Sequence, residues 1–225
     1  MENFVIGLTG AFGSGCTFLA DKMFAKLLNF KKYALSDILK EEFFKKNGRP
    51  HIDRHELQEF GNECRNLYGM DFLAKEIVKK IKEDNSEYSQ KIVIDSIRNP
   101  KEIEYLRQAY PNFFLLAIFS DYEKRWERVK STYDNKRDNF DKDEYKDQGI
   151  DEPEYGQKIS KCFFEADLIL SNNEYINSEL HNTNQTNMIS KIQNYIKAFM
   201  DPKASIPTIE ESLMAIAYAN GRRSK

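Results

Sequence analysis

Eight residues near the amino terminus have the types and spacing to hold phosphate. Gly10-Ala11-Phe12-Gly13-Ser14-Gly15-Cys16-Thr17 carries glycines at 10, 13 and 15, which let backbone amides turn toward one point. A short apolar run, Phe4 to Leu8, precedes it, and an amphipathic segment, Phe18 to Leu28, follows. The first reads as a buried strand and the second as a helix. Strand, glycine loop and helix together form a nest of amides at the positive end of a helix, the setting in which an anion binds. The alternative reading is a purely structural glycine turn.

The phosphate-binding consensus is GxxxxGK followed by Ser or Thr, and here Gly10 and Gly15 are followed by Cys16 and Thr17. The lysine of the consensus lies against the outer phosphates and offsets charge as the terminal phosphoryl group leaves. A thiol carries no such charge, and a helix start favours the thiolate, which has the wrong sign. Loss of one electrostatic donor costs on the order of 10²–10³ in rate. The sequence therefore supports nucleotide binding better than phosphoryl transfer, with Gly10 to Thr17 as the nucleotide-binding residues.

The elements that must position this loop alternate along the chain. Tyr33 to Ser36 reads as a second strand ending at Asp37, which would face the same cleft if ligands sit beyond the carboxyl ends of the strands. Asp37 is then a general base or a ligand to a second substrate, or it caps the helix that begins beside it. Asp53 to Tyr68 and Met70 to Lys82 have helical spacing, with Arg65 off the apolar stripe as a phosphate ligand or an exposed ion pair. Lys91 to Asp95 is a β-branched central strand, whose closing Asp95 is placed to hold magnesium opposite Thr17. Its other reading is a cap before the helix at Lys101 to Tyr110. Phe113 to Ser120 is a fourth strand and Asp121 to Thr132 a helix.

Residues 133–152 are crowded with Asp, Lys and Asn and nearly lack apolar side chains. They read as a charged mobile lid unable to bury itself, or as a solvated linker. Arg125, Arg128, Lys136 and Arg137 are its candidate cations for phosphate. Pro153 to Glu165 is expected to be helical, Asp167 to Leu170 a fifth strand, and Met188 to Met200 a last amphipathic helix. Strands alternating with helices imply an α/β fold, a parallel five-stranded sheet covered on both faces.

Composition fits a globular chain of 225 residues, 40% hydrophobic and 31% charged, with net charge −2 and hence no global basic field to attract nucleic acid. No apolar run is long enough to span a bilayer, and no secretory segment opens the chain; the expected compartment is the cytoplasm. Cys16, Cys64 and Cys162 are odd in number and far apart, and His51, His55 and His181 are equally scattered. Neither set suggests a disulfide framework or a metal centre.

Residues 1–200 resemble the P-loop nucleotide kinases, in particular the dephospho-CoA kinase and deoxynucleoside monophosphate kinase group. The residues that carry the likeness are the Ile-Gly-Leu-Thr-Gly opening, Ser36-Asp37, Asp95-Ser-Ile-Arg-Asn-Pro100, Arg125-Trp-Glu-Arg128 before the lid, and Ala166-Asp167. The resemblance implies a three-layer P-loop kinase-like sandwich that binds a nucleoside triphosphate or deoxynucleotide with Mg2+ held through Thr17 and Asp95. It also implies an alternative activity, a small-molecule kinase in which Asp37 takes the acceptor's proton and Arg128 and other lid cations stand in for the lysine.

After a linker at 201–207, residues 208–225 are similar to the first helix of a deoxycytidylate deaminase domain, or form an ordinary amphipathic helix. With Gly-Ser-Gly-Cys-Thr upstream, the chain resembles the start of the anti-phage dCTP and dCMP deaminases. The P-loop domain would then serve regulation or assembly, and zinc would belong to a deaminase domain outside these residues. Zinc deaminases need HxE and PCxxC, and neither occurs here. A homo-oligomer formed through the helix at 208–223 is compatible with either activity.

Overall fold

A computed structural model describes residues 3–84, 90–173, 183–200 and 213–214. Two compact units divide the chain, residues 1–174 and 175–225. The first holds a sheet of β1 (Phe4–Thr9), β2 (Lys31–Ala34), β3 (Lys91–Ile97), β4 (Phe113–Phe119) and β5 (Leu168–Ser171) in the order β2-β3-β1-β4-β5. Every pairing is parallel. β1 is buried along its whole length, as its unbroken apolar run requires of a strand with a neighbour on each side and helices on both faces.

The helices are α1 (Cys16–Phe18), which passes at once into a π-helix (Leu19–Ala25), then α2 (Leu35–Asn47), α3 (Arg54–Tyr68), α4 (Phe72–Asp84), α5 (Pro100–Ala109), α6 (Tyr122–Val129), α7 (Arg137–Gln148) and α8 (Ile159–Phe164). Asp53 caps α3 by accepting from the Glu56 amide at 2.8 Å. Asn99 and Glu102 form a reciprocal capping box at the start of α5. α2, α3, α4 and α5 bury their apolar faces with β1, β3 and β4 in one large cluster that includes Ile38, Phe60, Ile77, Ile94 and Leu106. In the second unit α9 (Thr183–Met200) is described, so the helix expected to close the first domain groups with the tail. The linker 201–207 and the helix proposed for 208–225 lie outside the described residues, Leu213 and Met214 excepted.

Several expectations are corrected. β2 ends at Ala34, not Ser36, so α2 begins earlier and Asp37 lies in its first turn; Ala34 is the cap, and neither Ser36 nor Asp37 caps the helix. The segment 153–165 is helical only from Ile159 to Phe164. Residues 133–152 stay mostly exposed but are anchored: α7 inserts Phe140 among Trp126 and Val129, with Phe12, Tyr122 and Tyr133 packed around them. Asp143 and Asp147 are buried as well, because arginines from other elements meet them. Arg65 is also buried, paired with Glu102 at 2.8 Å, and is neither exposed nor open to a ligand phosphate along that edge.

Candidate functional site

The loop after β1 is a nest whose carbonyls are held from outside. Ala11 accepts from the Ser14 amide at 3.0 Å and Gly15 from the Leu19 amide at 2.9 Å. Arg125 Nη1 donates to the Phe12 carbonyl at 3.2 Å, Arg128 Nη1 to the Gly13 carbonyl at 3.1 Å, and Asn172 Nδ2 to the Ser14 carbonyl at 2.7 Å. Five successive carbonyls are thereby engaged. The Gly13 and Gly15 amides have no protein acceptor among the described residues, and the first amides of any helix lack an internal partner. This is the donor set that an oxyanion needs.

Gly13 and Gly15 have φ of 81° and 100°, where other residues are strained. A Cβ on Gly13 would lie 2.9 Å from the Arg125 carbonyl oxygen, and one on Gly15 2.5 Å from Asn172 Nδ2. Only glycine lets the Arg125 backbone and the Asn172 side chain approach the loop this closely.

Opposite the loop, Thr17 Oγ1 donates to Asp95 Oδ2 at 2.7 Å. Asp95 reaches this position through an irregularity in β3: Gly7 pairs with Ile94 but Thr9 with Ile97, so β3 carries one extra residue. Ser96 absorbs it at φ 69°, and its amide donates to Asp95 Oδ1 at 2.7 Å, while Thr9 Oγ1 ties the two strand ends together at the Ile97 carbonyl, 2.9 Å away. Burial pushes the Asp95 carboxyl above its usual range, against the bond from Thr17 and the charges of Lys32 and Arg98. A hydroxyl and a buried carboxylate are hard oxygen donors suited to Mg2+ alongside nucleotide phosphates.

Cys16 occupies the lysine position, with its sulfur 3.5 Å from Ser14 Oγ. Burial, then the adjacent Asp95 carboxylate, push its thiol up to about 12, so the pull of the helix start does not produce a thiolate. Arg98 is close enough to lower both the Cys16 thiol and the Asp95 carboxyl.

The other expected residues separate. Arg125 also forms a two-point pair with Glu144, at 2.6 Å for both bonds. Arg128 reaches Ser120 Oγ and the Asn172 carbonyl besides Gly13. Both arginines support the loop through its carbonyls. Arg137 pairs with Glu123 and lies over the Tyr122 and Trp126 rings, on the outer side of α6 rather than at the loop. Asp37 is exposed and paired with Lys40 at 3.1 Å. At about 100° per helical residue, the early start of α2 turns Ser36 inward in its place, with Oγ 3.4 Å from Ser96 Oγ.

Sequence reasoning did not single out Arg98, Arg54, Asn172 or Asp147 as site residues. Arg54 lies over the Phe12 ring at 3.8 Å, and Arg98 follows the Asp95 strand directly. Arg98 was within reach, three residues after Asp95; Asn172 and Asp147 have no local signal.

This fold and site define a P-loop kinase-like α/β domain. No family model matches the chain. A UPF0200 protein of Methanothermobacter thermautotrophicus is 28% identical over 130 residues, covering 58% of this chain and 62% of the relative. One from Sulfurisphaera tokodaii is 30% identical over 125 residues, 56% and 64% of the two chains. The chain thus spans less than two thirds of the length of these curated relatives. TT1252 from Thermus thermophilus has the same fold, with a TM-score of 0.55 at 17% identity over 88% of this chain and 98% of that one. Shikimate kinase from Acinetobacter baumannii superposes with a TM-score of 0.49 at 13% identity, over 87% and 94%.

Proposed function

We propose that residues 1–174 bind a magnesium–nucleotide complex at the glycine loop and turn it over slowly or not at all. One observation carries this reading: a complete amide nest and a Thr17–Asp95 pair stand beside a neutral thiol where the catalytic cation belongs. The phosphates would lie on the amides from Gly13 to Thr17, with Thr17 and Asp95 holding the metal. Without the lysine, charge developing on the transferred group has no partner at the usual point.

A second reading, an active small-molecule kinase, has one observation in its favour. Arg98 places a permanent positive charge near Cys16 and Asp95 and so could supply the missing cation. Asp37 is no longer its natural base, since it faces solvent and Lys40.

As a finer proposal, the domain regulates or assembles a deoxycytidine-nucleotide deaminase. Only the resemblance of residues 208–225 and of Gly-Ser-Gly-Cys-Thr supports it, and the loop geometry adds nothing to that case.

Thermal stabilisation by MgATP and MgADP, run alongside transfer of the terminal phosphate to deoxynucleoside monophosphates, separates the readings. Stabilisation with turnover no faster than the uncatalysed background supports the binding role. Acceptor-dependent turnover that vanishes in Arg98→Gln assigns the kinase instead, and no stabilisation by any nucleotide refutes both.

A further inference from the structure

Cys16 does more than remove a charge, because its side chain is folded back into the loop. A Cβ placed on Gly10 would lie 2.8 Å from Cys16 Sγ and 2.5 Å from Ser14 Oγ, and those two atoms are 3.5 Å apart. Ser14 is buried, so the thiol and the hydroxyl together form the floor of the turn against Gly10. A lysine at this position follows the phosphate chain outward to its far end. The thiol, short and turned inward, leaves that outer point without a donor from the loop.

The cations around the loop and Asp95 do not make up for it, since each is already met from within the chain. Arg125 is clamped by Glu144 at 2.6 Å, and Arg128 donates to the Gly13 and Asn172 carbonyls at 3.1 and 2.5 Å. Arg54 and Arg98 both donate to Asp147, at 2.5 and 2.9 Å, and Arg98 also to Gln157 Oε1 at 3.0 Å. Lys32, whose charge favours the Asp95 carboxylate, pairs with Asp21 at 2.7 Å. Asp143 lies 3.5 Å from Arg54 Nε. Together with Asp95, the carboxylates in this group equal the five cations in number. The surround therefore carries no net positive charge before a ligand enters.

Successive phosphates of one nucleotide then meet different conditions. A phosphate in the nest has the uncovered amides of Gly13 and Gly15, and a metal ion held by Thr17 and Asp95 offsets part of its charge. The next phosphate outward lies past those amides, where it adds negative charge close to the buried Asp95 carboxylate. Unmatched charge is costly at such a site, where burial lowers the local dielectric. We propose that the loop selects nucleoside diphosphates over triphosphates, and that Cys16 is the residue that sets this choice. The inference rests on the nucleotide-binding reading above and adds the length of phosphate chain that the site takes. The favoured ligand is then the product of phosphoryl transfer and not its donor.

The test is calorimetric titration of the full chain with MgADP and with the magnesium complex of β,γ-methylene ATP, which cannot hydrolyse to the diphosphate. Native protein, Cys16→Ser and Cys16→Lys are compared. The native protein is expected to bind the diphosphate about tenfold more tightly or better, and Cys16→Ser, still neutral and short, to keep that ratio. Cys16→Lys should tighten the triphosphate and bring the ratio to about twofold or below, or invert it. A native ratio under about tenfold, or the native ratio unchanged in Cys16→Lys, would overturn the proposal.

Should Cys16→Lys fail to fold, the native ratio and its persistence in Cys16→Ser decide the matter by the same threshold. Binding of both nucleotides with equal affinity sinks the selectivity alone and leaves the nucleotide-binding reading intact. Binding of neither to folded native protein refutes that reading and the inference with it.

Discussion

The glycine loop and the α3–α7 interface flank the same ends of β1 and β3 and are both rich in arginine, yet their arginines do opposite work. At the loop, Arg125 and Arg128 donate to carbonyls, which holds the turn in shape and leaves its amides for a ligand. At the interface, Arg54 and Arg98 meet carboxylates, and their charge is already matched. Arg125 does both, since its guanidinium is also paired with Glu144; what distinguishes the loop is that its arginines bond the carbonyls and leave the amides uncovered. The loop thus presents uncovered amides as it stands, whereas the donors of the interface are taken up by Asp147.

The largest effect expected is on the carboxylate-paired face of α3, at the pair that joins Arg65 to Glu102 of α5. Glu102→Ala strands the buried Arg65 charge, and removal of one partner of such a pair costs about 3–5 kcal/mol. For a chain of this size that lowers Tm by roughly 6–20 °C, which calorimetry reads directly. A drop under about 2 °C would mean that Arg65 finds water or another partner, and the contrast between the two regions would weaken.

Cys16→Lys comes next. It restores the missing cation beside Asp95, and phosphate release or transfer is expected to rise by about 10²–10³. No gain in a folded, nucleotide-binding variant would place the defect elsewhere in the site.

Gly15→Ala tests the open region from the other direction. Strain at φ 100° and the clash with Asn172 cost about 1–3 kcal/mol, and nucleotide-induced stabilisation should disappear. Asp95→Asn gives the smallest shift. The raised carboxyl of Asp95 costs stability at pH above its unfolded value, so the neutral amide should raise the free protein's Tm by a few degrees while magnesium-dependent stabilisation is lost.

The pH response distinguishes the two regions as well. Asp147 has a depressed carboxyl, so its contribution is complete above the unfolded value of about 4 and fades as pH falls through its lower native value. Trp126, the only tryptophan, packs on Phe140 of α7 at 5.5 Å between ring centres. Its emission should stay constant down to about pH 4 and change below it. In Asp147→Asn that acid-dependent step should shrink.

The sequence made one of these regions legible and hid the other. Apolar strand runs, turn glycines and the Thr17–Asp95 pairing follow from local pattern and chain order, and so the sheet and loop could be read before any coordinates. The α3–α7 interface could not, because residues such as Asp147 and Arg98 are ordinary surface types until a distant partner covers them. Residues 133–152 read as wholly solvated for that reason: within this mostly exposed segment Asp143 and Asp147 are buried through ion pairs, which hydropathy does not register. Asp37 was displaced by a smaller cause, a strand that ends two residues early, since such a slip turns a helical side chain through more than half a revolution.

The bond from Asn172 to the Ser14 carbonyl joins residues 158 apart. During synthesis the loop emerges first and its last support almost at the end of the unit, roughly 8–30 s later at ordinary elongation rates. A nascent chain therefore carries the complete glycine motif long before it has a formed pocket. Nucleotide in the surrounding solution can favour only the finished unit and cannot guide the early steps of folding.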